Sequence, residues 1–171
     1  MAKERQIGLN KAEIGDVGAD GAMGGTLATL LGIVEDTFAI NQAEAEIIRF
    51  YNEGQNDPDM IRKIRNGEIV INFEIRDVTP EMLELFFGGS VALDVYSAPV
   101  TVENVYQSFK VTQLPEDGQS LEISFPRVLM SASWTGNAQA RNDGRIIAAL
   151  QVCTPYDASN NALPAFTAQY I

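Results

Sequence analysis

The segment from Gly67 to Gly89, GEIVINFEIRDVTPEMLELFFGG, constrains the fold more than any other part of the chain. It begins with a two-residue alternation. Ile69, Ile71, Phe73 and Ile75 fall on one side, and Glu68, Asn72, Glu74 and Arg76 on the other, where Val70 is the one apolar residue. Successive strand side chains point to opposite faces, so the pattern predicts a strand with one face on a core and one for solvent or a partner. The period then changes. Thr79 is a candidate helix N-cap, and Pro80 suits the first helical position, where its missing N–H would have no partner anyway. Glu81 in the first turn complements the helix dipole. Met82, Leu85 and Phe86 share one face of a short helix over 80–87, flanked by Leu83 and Phe87. Gly88-Gly89 ends it, because glycine takes the left-handed conformation without a Cβ penalty.

Around this segment the pattern is β. Residues 1–25 are polar and then glycine-rich, with Gly15, Gly18, Gly21 and Gly24 at every third position. Without proline this is no collagen repeat, and no Gly-Lys-Ser/Thr follows to make a phosphate loop. The stretch predicts a flexible N-terminal arm or extended loop that orders on assembly, with residues 26–171 as a single domain. Strands are expected at 26–31, 33–40 and 44–51; NEGQNDPD is then a turn by residue type, and MIRKIRNG leads into the organising strand. Beyond Gly89, strands are expected at 92–96, 101–114 and 120–125. The turn Pro115-Glu116-Asp117-Gly118 joins the last two into a hairpin, and Pro126 marks a bulge or edge position. Residues 129–134 and 145–153 continue the sheet around a polar loop at 135–144, and the tail is loop-like, its Tyr170-Ile171 able to dock on the body. The fold class is mainly β: a β-sandwich or barrel with one short flanking α-helix over residues 80–87.

Composition narrows the function. With 171 residues, 46% apolar and 20% charged, the chain suits one folded domain. A net charge of −11 argues against gripping nucleic acid, which needs a basic face, but suits a surface that must not stick to DNA. Histidine is absent, which removes Ser-His-Asp, Cys-His and His-based zinc chemistry. Cys153 is the lone cysteine, so no intramolecular disulfide forms. The N-terminus lacks a signal-peptide apolar run and no stretch reaches membrane-span length, which predicts a soluble protein made in the cytoplasm.

No motif assembles into a catalytic or metal site. Asp57, Asp59 and Glu68 have calcium-loop spacing, but Ile61 and Arg62 occupy the positions that need an acid or amide and then glycine, so Asp57-Pro58-Asp59 reads as a turn. Glu81 and Glu84 read as a solvated helix face. Arg62, Lys63 and Arg65 form a small basic cluster that suits either a phosphate or carboxylates on another copy of the chain. Trp134 and Cys153 read as core residues. No cofactor, metal ligand or enzymatic activity is expected.

The run from Phe50 to Gly89 resembles the major tail tube proteins of long-tailed bacteriophages. The similar features are the Asp57-Pro58 loop, then GEIVINFEI, then DVTPEMLELFFGG with its Thr-Pro-Glu helix start and Gly-Gly end. The later hairpin, Phe125-Pro126 and a closing strand are similar in layout. The resemblance implies a structural virion protein that self-assembles into hexameric rings, which stack into a tube for DNA ejection. It implies assembly in the host cytoplasm and residence in the virion tail, with terminator, tape measure and distal tail proteins as neighbours. Double-stranded DNA would pass through without specific binding, repelled by an acidic lumen. On this reading Glu68, Asn72, Glu74, Arg76, Arg62, Lys63 and Arg65 are candidates for the lumen or for subunit contacts. The competing readings are a small-molecule or glycan-binding β-sandwich, a hydrolase using carboxylates alone, and a tube subunit of a contractile injection system.

Overall fold

A computed structural model describes residues 8–54, 56–76, 78–115, 117–136 and 144–171. In chain order the elements are β1 (Leu9–Asp16), β2 (Ala28–Thr29), β3 (Ala39–Gln42), β4 (Glu46–Phe50), β5 (Met60–Arg65), β6 (Ile69–Ile75), α1 (Pro80–Phe87), β7 (Ser90–Ala92), β8 (Val95–Ser97), β9 (Tyr106–Gln113), β10 (Leu121–Leu129), β11 (Ala132–Thr135), β12 (Arg145–Val152) and β13 (Thr167–Tyr170). Nine strands form one antiparallel sheet in the order β2-β1-β9-β10-β12-β6-β3, with β13 added to β10 and β11 to β12. The pairs β4-β5 and β7-β8 are separate two-stranded ribbons.

The large sheet doubles back on itself at β10. Leu121 to Ser124 pair with β13, whereas Val128 and Leu129 pair with β12. Between them the β9–β10 register shifts from Phe125 to Val128. Pro126 sits in that shift, as a residue without an N–H must. Ser108, fully buried, donates its hydroxyl to the Pro126 carbonyl at 2.8 Å and accepts from Gly24 N–H at 3.0 Å, so the bulge leaves no orphaned carbonyl there. In a flat sheet β6 and β9, three places apart, would be separated by about 14 Å. Here Phe73 of β6 stacks on Phe109 of β9 with centroids 5.8 Å apart and planes at 11°. Two layers therefore face each other, with the buried side chains of Ile71, Ile75, Phe125, Val128, Ile146 and Leu150 filling the space around those rings. The architecture is that of a β-sandwich.

The helix closes one margin of this core. Thr79 is its N-cap and accepts from Met82 N–H at 3.3 Å; Gly88 ends it with φ 73° and donates to the Glu84 carbonyl at 2.8 Å. Phe86 is its buried anchor and meets Phe73 edge-on at 6.2 Å, an arrangement worth about 1 kcal/mol beyond area burial. Glu81 and Glu84 are exposed, as amphipathic patterning required.

Several elements differ from the sequence expectation. The N-terminal stretch is not a loop throughout: Leu9–Asp16 forms β1, paired along β9, with Ala12 and Ile14 buried. Residues 1–7 of that arm lie outside the described residues. The strand expected over 26–31 shortens to β2, and the one expected over 33–40 is displaced to β3, which overlaps it only at 39–40, with Ile33 making a lone bridge to Ile75. The lead-in MIRKIR is itself strand β5. The span 92–96 is a hairpin, turning at Leu93 and Asp94, both with positive φ. The loop-like tail contains β13, which pairs with β10, and Ile171 exchanges backbone hydrogen bonds with Ser120. Trp134 is not core: it lies on β11 and is 62% exposed, while Cys153 is half-buried. The hairpin expected from 101–114 and 120–125 forms, but its first strand begins only at Tyr106 and its second runs on to Leu129; the strand expected at 44–51 forms as β4.

Candidate assembly surfaces

The alternating strand of the sequence becomes β6, with Ile71, Phe73 and Ile75 fully buried. Its polar side is a shared face and not a free one. Asn72 lies between Ala39 of β3 and Ala149 of β12, and Glu74 lies opposite Ile147. Glu74 also accepts from Arg145 at 2.9 Å, which half-shields its charge. Glu68, just before the strand, is exposed and accepts from the Gln151 amide at 3.3 Å. Arg76 leaves the face at its far end, where its backbone N–H is held by the Gly32 carbonyl. The four predicted residues are thus brought along one side of the sheet, but their field is weaker than the sequence implied because Glu74 is paired with a cation. Arg145 was missed because only the β6–β12 register identifies it as a partner.

The basic trio lies elsewhere. The β3–β6 pairing runs on past the sandwich: Gln42 lies opposite Ile69, Ala43 N–H donates to the Glu68 carbonyl at 2.8 Å, and Glu46 then lies opposite Arg65. The β4–β5 ribbon is therefore an arm that prolongs the β3–β6 pair by roughly 17 Å. Gly67 marks the junction, since a Cβ there would run into the Ala43 carbonyl oxygen. Register assigns two faces to the arm. Ile48, Phe50, Met60 and Arg62 share one, and Ile47, Arg49, Ile61 and Lys63 the other. Every residue of both strands is exposed. Arg65 is paired with Glu46 at 2.7 Å; Arg49, Arg62 and Lys63 have no ion pair among the described residues. A two-stranded ribbon alone is marginal in water, and apolar side chains on both of its faces add exposed surface without burying a core.

A second exposed apolar surface surrounds α1 and the β7–β8 hairpin. Leu93 is 96% exposed, Val95 62%, and Val100 and Val102 project fully into solvent. Between Arg76 and Lys110 the sequence has no Lys or Arg, and Glu81, Glu84 and Asp94 are exposed, so this surface is acidic as well as apolar. The cation-free run was the available sequence signal for it. Glu103 is spoken for, as it accepts from Gly89 N–H at 3.1 Å.

On the sandwich's other outer face, Lys110 bridges Glu13 at 3.2 Å and Glu122 at 3.4 Å, and Lys11 reaches Glu13 at 2.7 Å. Burial pushes the Glu13 carboxyl up, but hydrogen bonds and charge from Lys11 and Lys110 outweigh it and hold it below the usual carboxylate range. Burial likewise pushes Lys110 down, and its two acids more than reverse this. The network ties β1, β9 and β10 together and is structural.

Among the described residues no group of three or more Asp, Glu, Cys or His side chains could hold a metal ion. No helix there is long and apolar enough to cross a membrane. No protein-family model matches the chain, and no curated protein matches it.

Proposed function

We propose that this chain is a structural subunit of a bacteriophage tail tube. It assembles into hexameric rings that stack around a conduit for DNA, bordered by other tail proteins, and it has no catalytic role. The observation that carries this reading is the β4–β5 arm, an extension of a closed sandwich that is apolar and exposed on both faces. Such a ribbon gains little as part of a monomer and much when neighbouring copies cover it. The Thr79-capped helix ending at Gly88 supports the resemblance of this segment to tail tube proteins. The net charge of −11 suits a surface along which a duplex slides without binding. The test is negative-stain electron microscopy with analytical ultracentrifugation of purified protein across a concentration series. Rings or tubes of uniform diameter are expected. A chain that stays monomeric at every concentration, salt and pH tried would overturn the proposal.

A further inference from the structure

We infer that the basic, apolar β4–β5 arm docks on the acidic, apolar surface formed by α1 and the β7–β8 hairpin of a second copy of this chain. The inference deepens the self-assembly reading and depends on it. Its basis is charge segregation within one sequence. The arm's strands carry Arg49, Arg62, Lys63 and Arg65 against the single acid Glu46, which Arg65 already neutralises. Glu44 precedes β4, Asp59 directly precedes β5 and Glu53 and Asp57 lie in the turn, so the basic character belongs to the strands and not to the arm's tip. The opposite surface carries Glu81, Glu84 and Asp94 with no cation between Arg76 and Lys110. Both surfaces also expose large apolar side chains: Ile48, Phe50 and Ile61 on the arm, Leu93, Val100 and Val102 on the other.

A partner for the arm must supply apolar area and negative charge together, and the chain itself presents both on a surface distinct from the arm. Within one molecule the two surfaces do not satisfy each other, since both remain exposed. A contact between two different patches is head-to-tail, and repeating it by a fixed rotation closes a ring or winds a filament. One contact would cover the receiving surface and one face of the arm on every copy except at open ends.

Two charge-reversed variants test this. Arg62→Glu/Lys63→Glu makes the arm acidic, and Glu84→Lys/Asp94→Lys makes the receiving surface basic. Each alone places like charges in contact and should raise the concentration for half-assembly about tenfold or more, with circular dichroism confirming the fold. An equimolar mixture restores opposite charges at every contact and should assemble near the wild-type concentration, with the two variants alternating. Wild-type assembly together with full assembly of each variant, or no rescue on mixing, would overturn the docking inference while leaving the tube reading intact. Absence of wild-type assembly would overturn both. Hydrogen exchange of the wild type is a second measurement that needs no variant. Protection should rise with concentration at both 46–65 and 93–102, and unchanged exchange at either in assembled material refutes the contact.

Discussion

Lys110 shows how much one residue can decide in a small sandwich. It is the common partner of Glu13 and Glu122, which project from β1 and β10 on either side of β9. The folded-state pKa of Glu13 is depressed, so its contribution is present above the unfolded value of about 4.3 and is lost as pH falls through the folded value. The pKa of Lys110 is raised, so its contribution is present below about 10.4 and is lost as pH rises through the folded value. Lys110→Met leaves the buried Glu13 and the half-buried Glu122 without their shared cation and should cost about 1–3 kcal/mol at pH 7 by urea unfolding. The difference from wild type should shrink as pH falls through the depressed folded-state pKa of Glu13. A difference that stays unchanged throughout acid titration would mean that Lys110 acts by packing. None of this was legible beforehand: Glu13 reads as one acid in a polar arm until β1 is placed against β9.

At the scale of elements, the arm and the body meet at Gly67. By sequence this glycine only opens the alternating segment; in the fold its role is narrower. The β3–β6 pair passes into β4–β5 with the Ala43 backbone so close that no side chain fits. Gly67→Ala should force the two strands apart at that point, costing about 1–3 kcal/mol as overpacking does. Hydrogen exchange should accelerate in β4 and β5 before it does in β6. Equal exchange in variant and wild type would show that the junction yields freely. The capped helix was readable because Thr79 and Gly88 act through bonds to residues three or four positions away and Pro80 through its own fixed φ. The β9–β10 hairpin was readable for the same reason, through its turn and the alternation on either side. The strand β1 was not: Ala12 is too small to signal a buried face, and the ladder that makes it a strand comes from β9, about 100 positions later. Trp134 misled because an aromatic residue is usually core, whereas β11 is a short strand at the margin of the sheet.

For the whole molecule, the proposed tube requires one face of the sandwich to line its lumen. The outer face of β3, β6 and β12 has Glu68 as its exposed acid and Glu74 held by Arg145. Glu74→Lys sets a second cation against Arg145 and so mixes a stability loss with any effect on DNA; Glu68→Lys is the cleaner reversal. In reconstituted tails, Glu68→Lys should leave assembly intact and slow DNA ejection, measured by release of dye-accessible DNA. Normal ejection from such tails would remove this face from the lumen. The acidic composition acts only through where charge collects. Much of it lies on the helix, on loops and around the β7–β8 hairpin, and the sequence total does not reveal that distribution.

The sequence by itself determined the local pieces. They are the alternating strand at 69–75, the helix with both caps, the β9–β10 hairpin with its proline bulge, and hence a mainly β fold with one short helix. Each is specified by periodicity or by contacts spanning a few residues, where the physics is local. Only the tertiary structure decided that β10 folds the sheet onto itself, that Phe73 meets Phe109 across the core, and that Glu74 is paired with Arg145. It alone decided that the polar lead-in to Gly67 is an arm and not a loop. Those outcomes depend on strand register between residues far apart in sequence, and a one-residue slip in register would exchange every face.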